Sequence, residues 1–228
     1  ILVSFTRQEL IVLNKEYFEE FAANLVLSSR VSVVIEGLTA ALATVSIGDL
    51  PLSNIPINST IDLVGYDQFD GGRLAIDTID ITKSVSTQSL AVRVSTRISN
   101  PSVVNILNGG RLTLDLCDVL NCTTFGIVSI DPFLLRPQGN ITVLDAEGLF
   151  NITDENKVVA RQFMTNMVSG IDTEVELRGS LPDNTTGTSI PLLSLAVAGL
   201  RIRTRAPGLI GPRALIQEIV VKKLTAAQ

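Results

Sequence analysis

Leu90-Ala91-Val92-Arg93-Val94-Ser95-Thr96-Arg97-Ile98, which stops at Asn100-Pro101, is the stretch that decides the fold. Residues 90, 92, 94 and 98 are apolar and residues 93, 95 and 97 are polar. That is the two-residue period of a strand with one face buried and one face wet. The residue before a proline is pushed out of the helical region, so Asn100-Pro101 ends the strand. Two more strands follow: Arg111 to Leu116 after the turn Asn108-Gly109-Gly110, and Phe125 to Ile130 before Asp131-Pro132.

Comparing the chain with itself extends this reading. Gly71-Gly72-Arg73-Leu74-Ala75-Ile76-Asp77-Thr78-Ile79 matches Gly211-Pro212-Arg213-Ala214-Leu215-Ile216-Gln217-Glu218-Ile219, 140 residues further on. Leu50-Pro51-Leu52 meets Ile190-Pro191-Leu192 at the same spacing. Val33-Val34-Ile35-Glu36-Gly37 meets Val175-Glu176-Leu177-Arg178-Gly179 at a spacing of 142. Each copy places one amphipathic helix upstream of these strands. Asn14 is positioned to cap Lys15 to Ser28, with Phe18, Phe21, Ala22, Leu25 and Val26 at helical spacing. Thr153 or Asp154 precedes Val158, Val159, Phe163 and Met167, and Gly170 supplies the C-terminal cap.

Residues 1–88 therefore match residues 141–228, and residues 89–140 have no counterpart. The expected organisation is an incomplete module over 1–88, the back half of the repeat, followed by a complete module over 89–228. A half module exposes strand edges and an apolar face. Either the first segment closes on itself in a smaller fold, or an upstream part of a longer chain supplies the missing half, or a neighbouring subunit completes it through β-strand pairing, which would give a homo-oligomer or a head-to-tail filament.

Composition fits a β-rich fold. Of the residues, 46% are hydrophobic and only 4% aromatic, with no Trp, and the mean hydropathy is +0.38. The net charge of −5 and pI near 4.8 argue against a nucleic-acid partner, since phosphate neutralisation calls for the opposite sign. His is absent, which removes Ser-His-Asp and Cys-His catalysis and the commonest metal ligand. No enzymatic activity, catalytic residue, metal site or cofactor is expected. No apolar run approaches the roughly 18 residues of a membrane span. The chain opens at Ile1, so it reads as a processed product or a fragment, with any signal peptide or membrane anchor outside it.

Five Asn-x-Thr sequons indicate an extracellular or lumenal glycoprotein carrying N-linked glycans: Asn58, Asn121, Asn140, Asn151 and Asn184. Cys117 and Cys122 are the only cysteines and are expected to close a local disulfide in that oxidising compartment; two inert thiols are the alternative. Arg201, Arg203 and Arg205 alternate along one strand, near Arg213, either as an anion-binding face or as a charged edge guarding against aggregation. Asp62, Asp67, Asp70, Asp77 and Asp80 form an acidic set that matches no calcium-loop spacing.

The strand ending in Asn100-Pro101, with short strands, one helix and further strands after it, resembles the late-embryogenesis-abundant type 2 (water-hypersensitivity) β-sandwich. The chain is also similar to an uncharacterised fungal family that carries this fold in tandem. The residues carrying that likeness are Arg7-Gln8, Val12-Leu13-Asn14-Lys15, Ile47-Gly48-Asp49-Leu50 and Ile55-Pro56-Ile57-Asn58. The resemblance implies tandem β-sandwich modules in secreted or vacuolar-lumenal ectodomains, and brings no catalytic residues. Two functions follow as expectations: a structural glycoprotein whose subunits complete one another's half modules, or a module binding a lipid or other hydrophobic ligand between sheet and helix.

Overall fold

A computed structural model of the chain describes residues 12–45, 48–179 and 187–209. The sequon at Asn184, the Arg7-Gln8 and Ile47 matches, Arg213 and the repeat match over residues 211–223 lie outside these residues.

The described protein is mainly β. Helix α1 (Lys15–Leu27) leads into a long hairpin of β1 (Arg30–Val45) and β2 (Gly48–Val64), which form a two-stranded antiparallel sheet of their own. A second antiparallel sheet is built from β3 (Leu74–Ser84), β4 (Ser89–Ser99), β5 (Leu112–Asp118), β6 (Thr124–Ile130), β7 (Ile141–Asn151), β8 (Thr173–Arg178) and β10 (Arg201–Ala206). Its order is β10-β8-β5-β6-β7-β4-β3, with the short β9 (Gly187–Thr188) on the far end of β5. The sheet curls until its two ends approach, and the Thr204 hydroxyl donates to the Leu74 carbonyl at 3.1 Å. The strands thus make one curled antiparallel sheet beside the two-stranded one.

The alternating pattern selects the core face as expected. On β4, Val92, Val94, Thr96 and Ile98 are buried, while Arg93 and Arg97 face outward. Leu144, Ala146 and Phe150 of β7 and Leu114 and Leu116 of β5 point to the same interior. Helix α2 (Lys157–Val168) lays Ala160, Phe163 and Met167 onto that core, where the Phe163 ring sits 4.8 Å from Phe125 and 5.4 Å from Phe150. Its start is set by a reciprocal pair one turn earlier: the Thr153 amide donates to Asn156 Oδ1 at 2.8 Å and the Asn156 amide to Thr153 Oγ1 at 3.4 Å. Gly170, at φ 74°, ends the helix with its amide on the Met167 carbonyl.

The expected division at 88/89 falls in the turn between β3 and β4, which pair as neighbours in the curled sheet. Strands β4, β5 and β6 of residues 89–140 thus share one sheet with β3 on one side and with β7, β8 and β10 on the other, β7 lying between β6 and β4. One helix per copy is also too simple a count. Ile190-Pro191-Leu192 opens a 3-10 turn that runs into α3 (Ser194–Ala198), whereas its repeat match Leu50-Pro51-Leu52 lies in β2. Local sequence accounts for the divergence. Ser-Leu-Ala-Val-Ala after Pro191 favours helix, and the Ile-Pro-Ile-Asn run after Leu52 favours extended chain.

Candidate docking hairpin

β1 and β2 are 16 and 17 residues long and pair in continuous antiparallel register from Arg30↔Val64 to Thr39↔Ile55. Residues directly opposite each other share a face, so the register sorts the side chains. Val31, Val33 and Ile35 of β1 stand beside Leu63, Ile61, Ile57 and Ile55 of β2, with Gly37, Thr39 and Ser59 filling the remaining places. No charged residue occurs on this face. The opposite face mixes Arg30, Ser32, Glu36, Asn58, Thr60 and Asp62 with the exposed apolar Val34, Leu38 and Val64, and two side-chain bonds tie its strands: Ser32 Oγ donates to Asp62 Oδ1 at 2.5 Å and Asn58 Nδ2 to Glu36 Oε1 at 3.4 Å.

The hairpin's base is fixed to the body. The Tyr66 amide donates to the Leu25 carbonyl at 2.7 Å and the Gly65 amide to the Ser29 carbonyl at 2.9 Å. A Cβ at Gly65 would collide with the Ser28 carbonyl oxygen, so only glycine permits this approach. Val31 packs against the main core, but further out Ile35 and Ile61 are each 42% exposed. Val33, Ile55 and Ile57 between them are half-buried. The repeat-equivalent strand is treated differently. Val175 and Leu177 of β8, the matches of Val33 and Ile35, are 1% and 2% exposed, because β8 pairs with β5 as well as β10.

The other sequence candidates separate. Asn58, Asn121, Asn140 and Asn151 are all exposed, on β2, in the β5–β6 turn, before β7 and at its end. Cys117 and Cys122 are joined as a disulfide across the β5–β6 turn. The same turn is held by Asp118, whose carboxylate accepts the amides of Thr123 at 2.6 Å, Asn121 at 3.0 Å and Leu120 at 3.1 Å. Burial pushes the Asp118 carboxyl up, but these hydrogen bonds to the charged form outweigh it and hold it below its usual value. Glu176 lies beside the two cysteines, yet disulfide sulfurs offer no thiolate for a metal.

The three arginines of β10 do share the outer face. Arg203 pairs with Glu176 at 3.5 Å, Arg205 with Glu174 at 3.7 Å, and Arg201 donates to the Leu200 carbonyl at 2.8 Å. Burial, with the nearby Arg178 charge, lowers the Arg201 pKa against the opposing pull of Glu176. The aspartates do not converge on one point. Asp62 bonds Ser32, Asp67 pairs with Arg73, Asp70 takes the Gly71 amide and Asp77 pairs with Arg97. Between α2 and the sheet lies an apolar groove of about 280 Å³, lined by Leu120, Phe125, Val158, Val159, Phe163 and Val175 and rimmed by Asp118, Gln162 and Glu174.

Sequence reasoning found β1 as a strand but not the two-faced arm. Its signal was present: Val31-x-Val33-x-Ile35 and Ile55-x-Ile57 keep a two-residue period on either side of a turn containing Gly48. Comparison with known proteins gives one match. A family model described as "Protein of unknown function (DUF3712)" covers residues 2–116, from α1 through the hairpin and β3 to β5. No curated protein matches the chain, and no solved structure matches it.

Proposed function

The chain belongs to the DUF3712 family of proteins of unknown function, and from that premise we propose that it is a structural, assembly-forming glycoprotein of the extracellular or lumenal space, joined to its neighbours by the β1–β2 hairpin. The observation that carries this reading is the hairpin's uncharged apolar face, open along its outer part while the equivalent strand β8 is buried. A two-stranded hairpin is marginal in water unless a further layer covers it. An arm of this length, with Val34, Leu38 and Leu42 exposed besides Ile35 and Ile61, is a surface made for a partner.

Four exposed sequons and a disulfide fit an oxidising, glycosylating compartment. No helix among the described residues is long and apolar enough to cross a membrane. The tandem LEA-type reading is kept in this form: α1–β1–β2 and α2–β8–β10 are two back halves of one module type, each a helix followed by an antiparallel strand pair. A neighbour's front half is a poor acceptor for the hairpin, because β5 is already paired with β6, β8 and β9. The hairpin itself is the better joint. We read the protein as non-enzymatic, since it has no His and its charged side chains serve turns and ion pairs.

The test is light scattering and electron microscopy of the glycosylated 228-residue chain. Defined oligomers or filaments are expected at tens of micromolar, and a monomer at that concentration overturns the reading. The groove beneath α2 favours a second reading, a site for a small apolar ligand. Native mass spectrometry of secreted protein would show a bound lipid mass that Phe163→Ala loses; a ligand-free mass would remove it.

A further inference from the structure

Resting on the second of those readings, we propose that the groove beneath α2 binds a small amphiphile with one apolar tail and a cationic ammonium head. The walls set the tail. Phe125, Phe163 and Val175 close the inner side, while Leu120 and Val158 stand at the mouth, 86% and 76% exposed. Leu120 is held in place there. The Cys117–Cys122 bond closes its turn, and the Asp118 carboxylate accepts the amides of Leu120, Asn121 and Thr123. A wall fixed before the ligand arrives costs little ordering on binding. The groove's volume of about 280 Å³ is nearly twice the ~150 Å³ of an apolar cavity that takes benzene, which leaves room for a ligand of roughly ten non-hydrogen atoms.

The rim sets the head. Among the described residues no Lys or Arg lines the groove, and its polar border is Asp118, Gln162, Thr173 and Glu174. Burial works against the charge on Asp118, but its hydrogen bonds keep the carboxyl below its usual pKa, so it is ionised. Those bonds engage both of its oxygens, so Asp118 supplies charge and Glu174 supplies the contact. Glu174 pairs with Arg205 at 3.7 Å, both side chains about two-thirds exposed, and a surface pair of this kind contributes little. An incoming ammonium can take that carboxylate. Gln162 turns its amide nitrogen onto Asn166 Oδ1 at 2.9 Å, which leaves its carbonyl oxygen for the groove. Thr173 donates its hydroxyl to the Ile171 carbonyl at 3.4 Å. The rim therefore offers acceptors and negative charge, which an ammonium satisfies and a carboxylate or phosphate opposes.

The experiment titrates the full secreted chain at neutral pH, by calorimetry, with octylammonium, octanol and octanoate, which share a tail and differ in the head. Octylammonium is expected to bind about tenfold tighter than octanol, and octanoate about tenfold weaker than octanol. Glu174→Gln brings octylammonium close to octanol and leaves octanol unmoved. Arg205→Gln releases Glu174 from its pair and tightens octylammonium by about threefold. Glu20→Gln, on an exposed face of α1, removes the same unit of charge elsewhere and keeps the order of the three ligands. Leu120→Ser weakens all three by removing part of the wall. Circular dichroism checks that each variant keeps its fold.

Equal affinities for the three, tightest binding of octanoate, or an octylammonium preference untouched by Glu174→Gln overturns the ammonium head and leaves the apolar-ligand reading standing. No binding of any of the three overturns both.

Discussion

At the scale of single residues, Asn100 does more than end a strand. Its side chain is buried, its Oδ1 accepts the Ser102 amide at 2.8 Å, and its Nδ2 donates to the carbonyls of Val104 and Arg136, each at 2.8 Å. The Asn-Pro step thus pins the end of β4 to two loops. Asn100→Ala leaves those carbonyls short of a donor and is expected to cost about 2–3 kcal/mol, read from the urea midpoint. Asn100→Asp should cost at least as much, since a carboxylate donates nothing to either carbonyl. Tyr66 shares the Val104 carbonyl through its hydroxyl at 3.0 Å, and burial raises its pKa to about 12. Its contribution to stability is whole below the ordinary tyrosine pKa of about 10 and drains away as pH rises from there through the folded value. Unfolding midpoints measured between pH 9 and 12 should fall in that window, and Tyr66→Phe should flatten the fall.

At the scale of elements, α2 and the hairpin show opposite fates for the same kind of apolar stripe. On α2 the stripe finds the core: Phe163 lies against Phe125 and Phe150 at ring distances of 4.8 and 5.4 Å. Phe163→Ala is expected to lower stability by about 3–5 kcal/mol, and calorimetry will show a lower Tm with a retained sheet if the helix only undocks. On α1 the stripe divides, with Leu25 entering the main core while Ala22 and Ala23 pack on Ala196 of α3. Residues 12–28 thus fold onto their own chain, which leaves the hairpin as the element extending outward.

At the scale of the whole molecule, β3, β8 and β10 join β4 to β7 in the curled sheet, while β1 and β2 form a two-stranded sheet of their own. The sequons fit this arrangement, with Asn58 on the hairpin face that carries Glu36 and Asp62 and with Asn121, Asn140 and Asn151 around the curled sheet. Peptide mapping after enzymatic deglycosylation in heavy-oxygen water is expected to mark Asn58, Asn121, Asn140 and Asn151. An unmarked Asn58 would remove the assignment of that hairpin face as the glycan-bearing one.

Much of the fold was legible from residues 90–98, 111–116 and 125–130, because a two-residue period in β-branched residues has few other meanings. Both long helices were legible too, through Asn14 and Gly170, whose roles at helix ends are local chemistry. The order in which the strands pair was not. Strand pairing joins residues far apart in sequence, and a periodicity records which face is apolar without naming the strand alongside. The sequence by itself determined the strand periods and the helix ends, and its self-match at a spacing of 140 residues raised the expectation of an incomplete element. Tertiary structure decided which parts were left over. Among the described residues β3 was taken into the curled sheet beside β4, while β1 and β2 paired only with each other, because pairing depends on which edges are free in three dimensions and β8 and β9 already fill that edge of β5.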